Sequence, residues 1–114
     1  MGDHYEVKVT APTADDAERL GRMAVECRLA ACAQVSGPIT STYWWEGEMT
    51  SAREWLCVLK TTSTLVEPLT EALRSGHSYE TPEIIATCIA GGDRSYLAWI
   101  DGETRSDPGG DPGR

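Results

Sequence analysis

The stretch AQVSGPITSTYWWEGEMTSAREWLCVLKT, Ala33 to Thr61, decides the fold. Its first arm, Ala33 to Trp45, is rich in Val, Ile, Thr, Tyr and Trp, residue types that suit an extended, half-buried backbone. After Glu46-Gly47 a second strand-like run extends from Glu48 to Thr61 and contains Trp55, Leu56, Cys57, Val58 and Leu59. Two such runs on either side of a glycine-containing pair predict a β-hairpin turned at Gly47. Pro38 has no N–H to give to a ladder, so it predicts an edge position or a bulge in the first arm. At about 3.3 Å per residue, an arm of about 13 residues reaches about 40 Å. A compact domain of about 100 residues has a radius of gyration near ~13 Å. The hairpin should therefore project beyond its own domain. It carries Tyr43, Trp44 and Trp45 there, apolar surface and open edges that call for cover by another chain.

Upstream, Tyr5, Val7 and Val9 alternate with Glu6, Lys8 and Thr10, the period of a half-buried strand, which Ala11-Pro12 ends. Thr13 with Asp16 three residues on reads as a helix cap. Ala17, Leu20, Ala24, Cys27 and Ala31 then recur at helical spacing and predict a helix from about Ala14 to Leu29. Downstream, Thr64 with Glu67 is a second capping-box pattern, and Leu65, Leu69, Ala72 and Leu73 mark an amphipathic helix ending near Gly76. Glu83 to Ala90 reads as a fourth strand, and Asp93 caps a short helix over Tyr96 to Ile100. The order is strand, helix, strand, strand, helix, strand. Two β-α-β units joined by a hairpin give an α+β, ferredoxin-like β-α-β-β-α-β sandwich with both main helices on one face of the sheet. One domain over residues 1–101 is expected. The Asp107-Pro108-Gly109-Gly110-Asp111-Pro112-Gly113 run has no core-forming side chains and predicts a disordered tail over 102–114.

Ten Lys and Arg against eighteen Asp and Glu give a formal charge of -8, a field that repels phosphate backbones and anionic lipid. Nucleic acid and membrane are therefore poor partners. The first thirty residues hold no continuous apolar run, so the expected location is cytoplasmic. Cys27, Cys32, Cys57 and Cys88 are scattered without a C-x-x-C pair and read as small buried hydrophobes in a reducing compartment.

Six motifs in order carry a family resemblance: Leu29-Ala30-Ala31-Cys32; Ser41-x-Tyr43-x-Trp45-x-Gly47; Glu54-Trp55-Leu56; Lys60-Thr61; His77-x-Tyr79-Glu80-x-Pro82-Glu83-Ile84-Ile85; and Tyr96-Leu97-x-Trp99-Ile100. Together, from near Tyr5 to Ile100, the chain resembles the CutA divalent-cation tolerance family. The resemblance implies a ferredoxin-like subunit, a homotrimer made by strand pairing, and an association with copper and other divalent cations. The family pattern has proline between its His and Tyr, where this chain has Ser78, which leaves the loop freer because proline would lock φ near about -65°.

His77, in a helix-to-strand loop, is the histidine expected within the body of the fold, with His4 in a leading segment. Its imidazole suits copper, with Glu80, Glu83 and Cys32 as neighbours in an assembled trimer; the competing reading is a capping or interfacial hydrogen bond. Cys32 reads first as a buried structural thiol and second as a soft copper ligand. Tyr43, Trp45, Lys60, Tyr79 and Trp99 are assigned to a ligand cleft or the trimer interface. Lys60 is expected to pair with Glu54 or Glu83, Trp99 to pack with Tyr96 and close the core or a neighbour's groove, and Cys57, Cys88 and Cys27 to serve packing.

Three functional classes follow. The first is a non-enzymatic trimer that binds copper or another divalent ion, with no cofactor required. The second is a small-molecule sensor akin to nitrogen-regulatory P-II proteins, with ligand clefts between subunits; the short Glu46-Gly47 turn and acidic balance disfavour its nucleotide-binding form. The third, an acylphosphatase-like enzyme, needs an arginine and a phosphate cradle that Thr10-Ala11-Pro12-Thr13 does not supply.

Overall fold

A computed structural model describes residues 2–106. The elements are β1 (His4–Ala11), α1 (Ala14–Glu26), β2 (Cys32–Trp45), β3 (Glu48–Thr62), α2 (Val66–Gly76), β4 (Ile84–Cys88) and α3 (Arg94–Glu103), with a 3-10 turn at Ser63–Leu65 leading into α2. The strands form one antiparallel sheet in the order β2-β3-β1-β4. This is the ferredoxin-like arrangement expected from the element order.

The period of β1 sets the two faces of the sheet. Val7 and Val9 are buried and stand opposite Leu59 and Cys57 of β3. Together with Ala17, Leu20 and Ala24 of α1 and Leu69 and Leu73 of α2, they make one core beneath both helices. Lys8 and Thr10 point to the other face, opposite Val58 and Leu56. Helix α1 lies close on the sheet because position 21 is glycine. A Cβ there would stand 2.8 Å from Ala33 Cβ and 3.1 Å from Cys57 Sγ.

Thr13 caps α1, its hydroxyl accepting the Asp16 N–H at 3.0 Å. The helix stops at Glu26 rather than Leu29, since Arg28 adopts φ 60° and turns the chain so that the Leu29 and Ala30 amides return to the Ala24 carbonyl. The Thr64–Glu67 capping box does not form. Ser63–Leu65 is a 3-10 turn, and the residue capping α2 is Leu65, without a side-chain bond. Asp93 caps α3 as expected, accepting the Tyr96 N–H at 3.0 Å.

Helix α3 starts earlier and ends later than Tyr96–Ile100. It runs to Glu103, Arg28 binds the Glu103 carboxylate at 3.0 Å, and the Arg105 N–H reaches the Arg28 carbonyl. The ordered domain thus passes the expected boundary at 101, and the remainder of the expected tail, 107–114, lies outside the described residues. His4 is not in a leading segment either. It opens β1, and its Nε2 meets Asp101 Oδ1 of α3 at 3.0 Å.

The hairpin is as long as its composition demands, and the molecule extends 44 × 30 × 23 Å. Glu46 and Gly47 both have positive φ, 51° and 83°, which matches the twist of a two-residue turn between antiparallel strands. The ladder shifts register between Ser36 and Ile39, where Gly37-Pro38 sits in a cis peptide, so Pro38 marks a bulge on an edge strand. Beyond the bulge, β2 leaves the cover of the helices. Trp44 is 74% exposed, its cross-strand partner Met49 69% and Trp45 49%.

Candidate functional site

The loop after α2 builds the site. Helix α2 ends at Gly76, and His77 turns to extended backbone, φ -87° and ψ 146°. Its Nδ1 accepts the Tyr79 N–H at 3.0 Å. A nitrogen that accepts carries no hydrogen, so the ring proton sits on Nε2, which donates to the Thr10 carbonyl at 2.6 Å. One imidazole therefore ties the loop to the end of β1. The Tyr79 ring packs on it, with centroids 4.9 Å apart. The Tyr79 hydroxyl donates to Glu54 Oε2 of β3 at 3.1 Å, and the Thr10 N–H reaches the Glu83 carbonyl at 3.4 Å. Burial, together with the bond to Glu54, pushes the Tyr79 hydroxyl up to about 12. It remains a donor through the neutral range.

Between this loop and the hairpin lies a cleft of about 460 Å³, lined by Tyr43, Trp45, Glu54, Tyr79, Glu80 and Glu83 among others. Glu54 is 5% exposed. Ser78, at the position of the family's proline, also lines the cleft; the His77 bonds hold the loop in its place.

The cleft gathers five residues assigned from sequence: Tyr43, Trp45, Tyr79, Glu80 and Glu83. Of the others, His77 anchors the loop behind the cleft, while Cys32, Lys60 and Trp99 lie elsewhere. Cys32 pairs with Lys60, four residues along β3 from the partner of Thr10, or about 13 Å along the sheet. Its Sγ is 3.5 Å from the Tyr96 hydroxyl. That bond, then burial, pushes Tyr96 up to about 12. Cys32 is half-buried and belongs to the α3 end of the sheet. His77, Glu80, Glu83 and Cys32 are therefore not brought together within one chain. Among the described residues no three His, Cys, Asp or Glu side chains are grouped to hold a metal ion. Both His77 nitrogens are moreover already bonded.

Lys60 pairs with neither Glu54 nor Glu83. It donates to Gln34 Oε1 at 2.8 Å and lies 3.7 Å from Glu6, because the pleat and register place these side chains beside it on the same face. Trp99 does stack on Tyr96 at 5.5 Å, but both remain over 40% exposed, so the pair covers α3 rather than closing the core. Cys88 is exposed, since β4 is an edge strand, whereas Cys57 is fully buried. Glu54 and the Thr10 carbonyl were not among the assigned site residues. Glu54 heads the motif Glu54-Trp55-Leu56, a visible signal; a backbone carbonyl leaves none.

Comparison with known proteins agrees with this architecture. The family model of the CutA1 divalent ion tolerance protein matches residues 5–103. The chain is 41% identical over 100 residues to the chloroplastic protein CutA of Arabidopsis thaliana, covering 88% of this chain and 55% of that protein. It thus spans about half the length of that plant relative. It is 38% identical to the divalent-cation tolerance protein CutA of Archaeoglobus fulgidus, covering 86% of this chain and 95% of the relative. The crystal structure of CutA1 from Oryza sativa superposes with a TM-score of 0.90 at 37% identity, covering 93% of this chain and 97% of that one. A family match over residues 5–103, with relatives alike along most of the chain, places it in the CutA1 divalent ion tolerance family.

Proposed function

We propose that this chain acts in divalent-cation tolerance as a cytoplasmic, non-catalytic homotrimer that binds copper or another divalent ion at clefts between subunits. The observation that carries the reading is the bare edge of β2. Ile39, Tyr43 and Trp45 are each at least 37% exposed on one face of an edge strand, next to the acidic cleft. A second chain seated on this edge would bury the apolar row and close the cleft. It would also supply the donors that a single chain lacks, since transition metals normally take three or four convergent ligands. His77 would join them by giving up one of its two bonds, beside Glu80 and Glu83, with Cys32 coming from a neighbouring subunit. The number three comes from the family resemblance. Unpaired cysteines, one of them exposed, suit a reducing compartment.

Calorimetric titration with copper, wild type beside His77→Ala, tests the metal, and light scattering tests the assembly. One copper per chain with at least tenfold weakening in the variant, on a particle of three times 12.4 kDa, supports the reading. A monomer at micromolar concentration, or equal binding by both proteins, overturns it. The cleft itself favours a second reading, a small-molecule sensor, because a volume of about 460 Å³ falls in the range of small-ligand sites.

A further inference from the structure

Glu54 is a carboxylate buried to 95% in the wall of a cavity, and among the described residues no Lys, Arg or His side chain pairs with it. Its hydrogen bond comes from the neutral Tyr79 hydroxyl, so within the single chain no cation stands against it. A buried carboxylate is costly unless a cation meets it. The cleft in front of it holds two more carboxylates, Glu80 and Glu83, and the rings of Tyr43, Trp45 and Tyr79, with no Lys, Arg or His in its lining. We infer that the inner cleft is a binding site for a small organic ammonium ion, seated on the aromatic rings with its charge toward Glu54.

Three features separate this ligand class from a bare metal ion. A tightly held metal ion needs three or more convergent donors, and no three His, Cys, Asp or Glu side chains are so grouped among the described residues. The volume, about 460 Å³, suits an organic molecule. Aromatic faces attract ammonium groups within about 6 Å of the ring centre, and the attraction strengthens where water is excluded. The negative lining excludes phosphates and carboxylates by the same electrostatics. The inference goes beyond the metal reading and does not depend on it, since it rests on Glu54 and the rings rather than on His77.

The test uses the full-length protein freed of metal with EDTA. Choline is the probe, and its uncharged isostere 3,3-dimethylbutan-1-ol is the control, both titrated with detection by ligand-observed NMR. Expected are saturable choline binding at one site per chain, at least tenfold weaker binding of the isostere, and at least tenfold loss in Glu54→Gln. Tyr79→Leu, which removes a lining ring away from the β2 edge, should also lose at least tenfold and keeps the test decisive if Glu54→Gln fails to fold. No saturable choline binding by the wild type overturns the inference, as does equal binding of the neutral isostere or undiminished binding by a folded variant. Copper titrated into the same samples reads the metal proposal separately, so either can fail alone.

Discussion

Tyr79 gives its hydroxyl hydrogen to Glu54 Oε2 at 3.1 Å, joining the loop after α2 to β3 at the point where the hairpin leaves the domain. The donor is held from the other side by its own backbone, since the Tyr79 N–H is bonded to His77. Loop, strand end and hairpin base thus form one connected unit around the cleft.

Alkaline titration tests this bond. Tyr79 is raised from 10.0 to about 12 by burial and by Glu54. A group raised in the folded state stabilises the fold fully below its unfolded value, near 10, and loses that contribution as pH climbs through about 12. Tyr96 is likewise raised to about 12, by its bond with Cys32 and then by burial. Ultraviolet titration of tyrosinate should therefore show two late-ionising tyrosines in the wild type and one in Tyr79→Phe. In Glu54→Gln the Tyr79 step should move down toward 10. An unchanged late step in Tyr79→Phe would show that the bond does not hold in solution.

His77→Ala removes the acceptor of the Tyr79 N–H and the donor to the Thr10 carbonyl. Leaving half-buried backbone groups unmatched costs about 1–3 kcal/mol. The urea midpoint should fall accordingly, and amide exchange should quicken at Tyr79 and its loop neighbours while the β1–β3 ladder stays protected. Uniform loss of protection would place His77 in the global core instead.

Gly21→Ala sets two effects against each other. Alanine favours a helix interior over glycine by about 1 kcal/mol, but its Cβ would stand 2.8 Å from Ala33 Cβ. Overpacking of this kind costs about 1–3 kcal/mol. The contact wins, because both groups belong to the packed interface between helix and sheet. Denaturant unfolding should show net destabilisation, and a stabilised variant would refute the close approach.

Thiol reactivity should separate the four cysteines. Cys57 is fully buried, and burial, with a smaller contribution from Cys32, pushes its thiol up to about 11. Cys88 is exposed on the edge strand. With Ellman's reagent in native buffer, Cys88→Ser should remove a fast-reacting thiol. Cys57→Ser should change nothing until the protein is unfolded.

Periodicity and turn chemistry were enough for the elements. The alternation of Val7 and Val9 with Glu6 and Lys8, the spacing of Leu65, Leu69 and Leu73, and the two-residue turn before Glu48 are local signals, and the ferredoxin-like order follows from them. The motif set from Leu29 to Ile100 made the family legible, and His77 to Glu83 marked the loop that carries the site. Tertiary structure alone decided the rest. Whether Lys60 meets Glu54 or Glu6, whether Cys32 joins His77 or Tyr96, and whether His4 floats free or binds Asp101 all depend on strand register and on where α3 docks. Cys32 and Tyr96 stand 64 positions apart along the chain, His4 and Asp101 97, and Tyr79 and Glu54 25. Side-chain pairing at such separations is settled by packing, which no local pattern of residues encodes.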